Sequence, residues 1–162
     1  MTQYNIIAES QEYTVVAEFD HVATPAEAYQ SEADLEKEFI RLLGEQGYEY
    51  LPIHKEADLI FNLRDQLEKL NHYHFTDNEW EHFFNECIAN KNDDIVAKTA
   101  KIQDDYIQVL KRDTGESQNI KLIDKDNIHN NFVQVINQYV EEGGNYDTRY
   151  DVSILVNGLP LV

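Results

Sequence analysis

An apolar run that meets an Asn-Gly pair constrains the fold of this chain more than any other sequence feature. Val152–Val156 has the composition of a buried strand, and Asn157-Gly158 follows it directly. Asparagine and glycine tolerate the positive φ angles of a two-residue hairpin turn better than other residues do. Leu159–Val162 then resumes the apolar pattern of a strand. The sequence therefore predicts a tight antiparallel hairpin at this point.

The return strand of that hairpin has four residues before the sequence stops at Val162. A natural domain rarely ends inside an apolar strand, since the unpaired edge would be prone to association. The 162 residues include only three prolines and no Ser/Gly-rich linker. We therefore expect residues 1–162 to belong to a single domain that is incomplete at its C-terminal end.

Four helices are predicted from apolar spacing and from capping signals. They are a helix between Ser31 and Gly47 with Leu35, Phe39, Leu42 and Leu43 on one face, a second with Leu59, Leu63, Leu67 and Leu70, a third that starts at the capping box Thr76-x-x-Glu79, and Ile95–Gln103.

Strand patterns lie before, between and after these helices. One or two short strands are predicted in Ile6–Phe19 and end before Thr24-Pro25, and another is predicted at Tyr48–Ile53. Tyr106–Leu110 and Asn119–Ile123 are predicted to form a hairpin around the turn Asp113–Glu116. A strand in Phe132–Val140, a loop at Glu141–Thr148 with Gly143-Gly144, and the final hairpin follow. This order predicts the α/β (α+β) class, with a mixed β-sheet flanked by helices.

The charge of the chain restricts its partners. Thirteen basic and 31 acidic residues give a formal net charge of −18, and such a surface repels phosphate backbones. Several basic side chains lie in the later half among acidic ones, so a DNA-backbone contact and a merely solvated face fit them equally well. They are Lys98, Lys101, Lys111, Arg112, Lys121 and Lys125. The charge also fits another class of protein, a non-catalytic DNA mimic that occupies the basic groove of a DNA-binding enzyme.

Neither a secretory signal nor a membrane-spanning segment is present in the sequence. The start, MTQYNIIAES, has no basic region before an apolar run, and no stretch approaches 18 apolar residues. Cys87 is the single cysteine and cannot form an internal disulfide, which fits a reducing compartment. We expect a cytoplasmic protein without membrane contact.

The remaining candidate sites have ordinary explanations. His72-x-His74 would place two imidazoles on one side of an extended segment, but no third ligand completes a metal site. We interpret it as a helix-connecting loop with partly buried imidazoles. Cys87 continues the stripe of Trp80 and Phe84 and is interpreted as a small core residue, because no base to activate a thiol is identifiable. The glycine motifs of nucleotide-binding loops are absent.

Three longer stretches resemble the restriction (R) subunit of type I restriction-modification enzymes. They are YQSEADLEKEFIRLLGEQGYEYL (29–51), NIKLIDKDNIHNNFVQVINQY (119–139) and RYDVSILVNGLPLV (149–162), and the shorter NLRDQLEKLN and TDNEW agree as well. The last of the three is close to a signature of that subunit. The resemblance covers nearly the whole chain, but only the N-terminal part of the family's much longer polypeptide.

The resemblance implies a nuclease domain of the PD-(D/E)xK class, truncated here within the catalytic hairpin. Asp151 alone would be an ordinary turn or cap residue, but the resemblance makes it the first acidic residue of the motif and a metal ligand. The E-x-K pair of the motif would lie just beyond Val162. Many such nucleases also use a glutamate on the first helix, and Glu36 matches that position best, with Glu32 one turn earlier as the alternative.

The same resemblance implies the cofactors and partners of the full-length subunit. It would use Mg²⁺ for cleavage and ATP for translocation of double-stranded DNA, and it would assemble with methylation and specificity subunits. Carboxylates suit this chemistry because Mg²⁺ prefers oxygen ligands, and the bound ion both acidifies a water and clamps the phosphate. Asp151 supplies one ligand, so we expect the 162-residue chain by itself to be inactive.

Overall fold

The computed structural model describes residues 4–9, 14–18, 31–141 and 148–161, and the side chains of residues 31–139 and 151–161. The chain divides into two units, Met1–Glu32 and Ala33–Val162. In the first unit, β1 (Tyr4–Glu9) and β2 (Thr14–Glu18) pair antiparallel, which confirms the short strands predicted there. The predicted end of that segment at Thr24-Pro25 lies outside the described residues.

From residue 32 onward, the described part of the chain forms four α-helices and six strands. In chain order they are α1 (Glu32–Glu45), β3 (Glu49–Tyr50), α2 (Glu56–Asn71), α3 (Asp77–Phe83), α4 (Ile95–Gln103), β4 (Ile107–Lys111), β5 (Ser117–Lys121), β6 (Val133–Glu141), β7 (Thr148–Val156) and β8 (Leu159–Pro160). A π-helical turn, Phe84–Ile88, continues α3, and a 3-10 turn, Ile128–Asn130, precedes β6. Within the part of the chain that the structure describes, no helix is long and apolar enough to cross a membrane.

The strands of the second unit form a four-stranded sheet and a separate hairpin. The sheet has the order β3-β6-β7-β8, in which β3 is parallel to β6 and the other neighbours are antiparallel. β4 and β5 form the hairpin around Asp113–Glu116 that the sequence predicts. The predicted mixed sheet and flanking helices are therefore confirmed. The predicted loop with Gly143-Gly144 lies outside the described residues.

Local signals locate most helix starts correctly. The capping box at Thr76 is formed in both directions, since the Thr76 hydroxyl accepts from the Glu79 amide and the Glu79 carboxylate accepts from the Thr76 amide. The predicted range of α4 is the observed one. The strand predicted at Tyr48–Ile53 is shorter, because Pro52 has no N–H to donate and the Ile53 amide bonds back to the Leu51 carbonyl.

The apolar side chains separate into two buried clusters. The larger one joins α2, α3, the β4–β5 hairpin and β8, and contains Leu63, Leu67, Phe75, Trp80, Phe83, Leu110, Ile120, Leu122 and Leu159. The smaller one consists of Ile53, Ile136 and Leu155, with Leu51, Leu59 and Tyr139 packed against it. In α1 only Leu43 is buried, whereas Leu35 is 55% exposed and Phe39 45% exposed.

The Asn157-Gly158 turn is a buried anchor for the β7–β8 hairpin. Asn157 is fully buried, and it exchanges hydrogen bonds with Phe132: the Phe132 amide donates to Asn157 Oδ1 and the Asn157 amide donates to the Phe132 carbonyl, both at 2.8 Å. Asn157 Nδ2 donates to the Leu122 carbonyl at 3.0 Å. Gly158 has φ +80 and lies so close to α2 that a Cβ atom would meet Leu63 Cα at 2.6 Å.

Gly158→Ala tests how firmly this turn is fixed. We expect it to lower the free energy of unfolding by several kcal/mol, because the added methyl both strains a left-handed backbone and collides with the α2 backbone. Gly115→Ala is the matched control, since Gly115 has φ +86 but nothing within 4 Å of its added Cβ. The control should lose only about 1–2 kcal/mol in urea denaturation. Equal losses for the two variants would show that the close approach to Leu63 is unimportant.

Glu79 is a buried carboxylate that joins α3 to the β4–β5 turn. Its side chain is 3% exposed and accepts hydrogen bonds from the Tyr73 hydroxyl at 2.7 Å and from the Thr76 and Asp113 amides at 3.1 Å. Burial raises the pKa of this carboxyl, but the hydrogen bonds from Tyr73, Thr76 and Asp113 outweigh burial and hold the pKa below its ordinary value of 4.5. The ionised form is therefore the one that stabilises the fold.

Replacement of Glu79 has a pH-dependent effect on stability. Because the folded-state pKa is below the unfolded value of 4.5, the ionised carboxylate stabilises the fold fully above that pH, and this contribution is lost as the pH falls through the folded pKa. We expect Glu79→Gln to lower the free energy of unfolding by about 1–3 kcal/mol at pH 7. Its deficit should shrink below pH 4.5 in urea denaturation. Glu81→Gln, on the exposed side of α3, should change stability by less than about 0.5 kcal/mol at either pH.

Candidate functional site

Glu36 is held against β6, one of the two inner strands of the sheet, by two amides. It lies in the second turn of α1 and is half-buried. Asn137 Nδ2 donates to Glu36 Oε1 at 2.6 Å, and Gln138 Nε2 donates to Glu36 Oε2 at 2.5 Å. Each oxygen of this carboxylate therefore has its own donor from consecutive residues of β6.

Gln138 interrupts the regular geometry of β6. Its φ of +53 is left-handed, which residues with a Cβ atom seldom adopt. In a regular strand, consecutive side chains point to opposite faces of the sheet, yet Asn137 and Gln138 both reach Glu36. Ile136 and Tyr139 lie in the same hydrophobic cluster, although regular alternation would place them on opposite faces. The left-handed residue thus reverses the alternation of β6.

Asp151 lies on β7 at the register position that corresponds to Gln138 of β6. The register pairs Asn137 with Val152 and Tyr139 with Tyr150, and these pairs flank Gln138 and Asp151. Paired strands are about 5 Å apart. Asp151 is exposed, whereas Ser153 and Leu155 further along β7 are buried. Gln138 therefore bonds to Glu36 and corresponds in register to Asp151, the other predicted site residue.

Tyr50 fixes the orientation of the Asn137 amide. The Tyr50 hydroxyl donates to Asn137 Oδ1 at 2.8 Å, which leaves Asn137 Nδ2 to donate to Glu36. Tyr50 belongs to β3, the strand on the other side of β6 from β7. The support of Glu36 thus comes from two adjacent strands.

The chemistry of this region is that of oxygen ligands. Glu36 and Asp151 offer carboxylate oxygens, the donors that Mg²⁺ prefers. Among the residues with described side chains, no group of three or more His, Cys, Asp or Glu is arranged to hold a metal ion. Glu32, the alternative to Glu36, is the exposed first residue of α1. The roles of Glu36 and Asp151 stay predictions.

Sequence reasoning did not single out Asn137 and Gln138. Both lie within the stretch 119–139 that carries the resemblance, but neutral amides in an apolar strand carry no charge or spacing signal. In a regular strand, two consecutive side chains point to opposite faces, so one of these two polar side chains would point to the apolar face. This was the one indication in the sequence that the strand is irregular here.

The histidine pair lies in the loop between α2 and α3. His72 is the C-cap of α2 with φ +50, and His74 Nδ1 lies 2.9 Å from Glu68 Oε2. The predicted helix-connecting loop is therefore correct. Partial burial of the imidazoles is wrong, because His72 is exposed and the His74 side chain is 93% exposed. The Glu68 carboxylate contacts the His74 imidazole at the surface, and the imidazole stays exposed.

Cys87 and the basic side chains also have structural roles. Cys87 packs against the larger cluster, and burial raises the pKa of its thiol, which opposes nucleophilic activation. Lys101 bonds to Asp93, Arg112 lies 2.9 Å from Glu116, and Lys121 lies 3.5 Å from Asp126. These acidic partners favour the interpretation of a solvated, mixed-charge surface.

Comparison with known proteins gives consistent matches. The family model described as "Type I restriction enzyme R protein N terminus" matches residues 29–162. The type I restriction enzyme EcoprrI endonuclease subunit of Escherichia coli is 45% identical over 157 residues, which cover 96% of this chain and 50% of that protein. The SsaAORF53P endonuclease subunit of Staphylococcus saprophyticus is 37% identical over 139 residues, 83% of this chain and 14% of that protein. The chain thus spans about half the length of the E. coli relative.

Proposed function

The chain belongs to the type I restriction enzyme R protein family, and we propose that residues 1–162 are the N-terminal part of an endonuclease domain of the PD-(D/E)xK class. The full-length subunit would hydrolyse ATP to translocate double-stranded DNA and would cleave unmodified foreign DNA with Mg²⁺. Its partners would be the DNA and the methylation and specificity subunits. Glu36 and Asp151 would belong to the cleavage site.

The observation that supports this proposal is the position of Gln138 between α1 and β7. Gln138 bonds to Glu36 and is flanked by the pairs that set it opposite Asp151. Glu36 and Asp151 are 115 positions apart in the sequence, and nothing in local structure requires them to approach the same point of the sheet. A shared site would require the two carboxylates to lie close together, and their positions beside Gln138 support that arrangement.

Each residue contributes a definable property to such a site. Asp151 is exposed within β7, and the buried Asn157 follows the C-terminal end of that strand, so the Asp151 carboxylate is accessible. Each Glu36 oxygen accepts one of the two amide hydrogen bonds, and a carboxylate oxygen has a second lone pair with which it could bind a cation. Mg²⁺ bound there would lower the pKa of a coordinated water and neutralise charge on the phosphate.

The alternative of a DNA mimic has weaker support. A mimic needs its carboxylates displayed as phosphates are, whereas Glu79 and Asp124 are buried and accept hydrogen bonds from the chain itself. Membership of a restriction-subunit family also favours the catalytic interpretation. A salt-sensitive complex with basic DNA-binding proteins, without binding to a methylation–specificity core, would favour the mimic.

Asp151→Ala in the full-length subunit tests the assignment. We expect it to abolish DNA cleavage and to leave ATP-driven translocation intact, because the side chain would ligate the metal and is exposed. Asp105→Ala is the matched control, an exposed aspartate on the segment before β4. Both variants should change the free energy of unfolding by less than about 0.5 kcal/mol. Normal cleavage by Asp151→Ala would refute the role of Asp151.

The 162-residue chain by itself provides a second arm of the same test. With Glu36 and Asp151 as its candidate ligands, we expect weak Mg²⁺ affinity and no cleavage of duplex DNA. Robust Mg²⁺-dependent nicking by the purified 162-residue chain, lost in its Asp151→Ala variant, would show that these residues already contain a complete site.

A further inference from the structure

We propose that Asn137 and Gln138 are positioning residues, whose amides hold the Glu36 carboxylate at the position of β6 that corresponds in register to Asp151. This inference rests on the proposed function and concerns residues that touch Glu36, not the reacting phosphate. Its basis is the pair of hydrogen bonds at 2.6 and 2.5 Å to the two oxygens of Glu36.

The backbone of Gln138 is the first argument. A left-handed residue with a Cβ atom is unfavourable, and it persists where the surrounding structure over-determines it. Here the register of β6 with β7 is unchanged on both sides of Gln138, so no extra residue has been inserted as in a bulge. The left-handed backbone lets the Gln138 side chain reach Glu36 on the same side as the Asn137 side chain.

The neutrality of the two donors is the second argument. Lysine or arginine beside Glu36 would neutralise its charge and compete with a cation for its oxygens. Amide donors fix the direction of the carboxylate and leave its negative charge in place. Supporting side chains of this kind orient metal ligands in many proteins, and their removal weakens metal affinity or activity 10- to 100-fold.

A merely structural tie between α1 and β6 is the competing explanation. It predicts that removal of the Gln138 side chain lowers stability and leaves metal binding by the folded protein unchanged. The positioning role predicts the opposite, because glycine adopts φ +53 without strain while the donor to Glu36 is lost.

Gln138→Gly in the full-length subunit separates these explanations. Mn²⁺ binding is measured in the absence of nucleotide by electron paramagnetic resonance of the free ion. The binding that the Asp151→Ala variant retains is subtracted from the binding of each protein. We expect the remaining affinity to fall about 10- to 100-fold, the Mg²⁺ concentration for half-maximal cleavage to rise similarly, and the unfolding temperature to stay equal or rise. Gln138→Asn keeps an amide and tolerates a left-handed backbone, so it should retain more affinity than Gln138→Gly.

His72→Gly is the matched control. His72 has φ +50, is exposed and lies at the end of α2, so glycine relieves the same kind of strain without touching Glu36. It should leave Mn²⁺ affinity and cleavage unchanged. Wild-type affinity in Gln138→Gly, or a loss that is matched by reduced stability, overturns the positioning role. Should Asp151→Ala itself cleave normally and bind Mn²⁺ as the wild type does, the proposed function fails instead.

Discussion

β6 and β7 pair in a single antiparallel register, from Val133 opposite Val156 to Glu141 opposite Thr148. The buried Asn157 fixes one end of this pairing, because it bonds to Phe132 at the start of β6. A shift by one residue would expose Ile136 and Leu155, so the hydrophobic cluster holds the register as well. The position of Asp151 relative to Gln138 follows from these long-range contacts.

Features that depend on neighbours in the sequence could be predicted. The Asn157-Gly158 hairpin, the capping box at Thr76 and the bounds of α4 each follow from a few adjacent residues. Burial of Asn157 could not be predicted in this way, since its partners Phe132 and Leu122 lie 25 and 35 positions away. Its asparagine was a turn signal in the sequence and is a buried structural anchor in the fold.

The residues of the candidate site also differ in how far the sequence could predict them. Glu36 and Asp151 were identified as candidate site residues by the resemblance to a family. Apolar periodicity alone would have indicated only ordinary surface carboxylates at both positions. Asn137 and Gln138 could not be predicted, because the left-handed backbone of Gln138 contradicts its local strand preference. Conflicts between local preference and observed conformation are expected at functional sites, where the surrounding structure enforces them.

We propose that β6 helps to bring Glu36 and Asp151 to one metal-binding point. The most direct test of this proposal is the anomalous scattering of Mn²⁺ in crystals of the full-length subunit, recorded near the manganese absorption edge. We predict a peak within ligand distance of both carboxylates, about 2.0–2.6 Å, with the Asn137 and Gln138 amides still donating to Glu36. A Mn²⁺ ion bound to Asp151 with Glu36 remote from it, or no ion at Asp151 at all, would contradict the account.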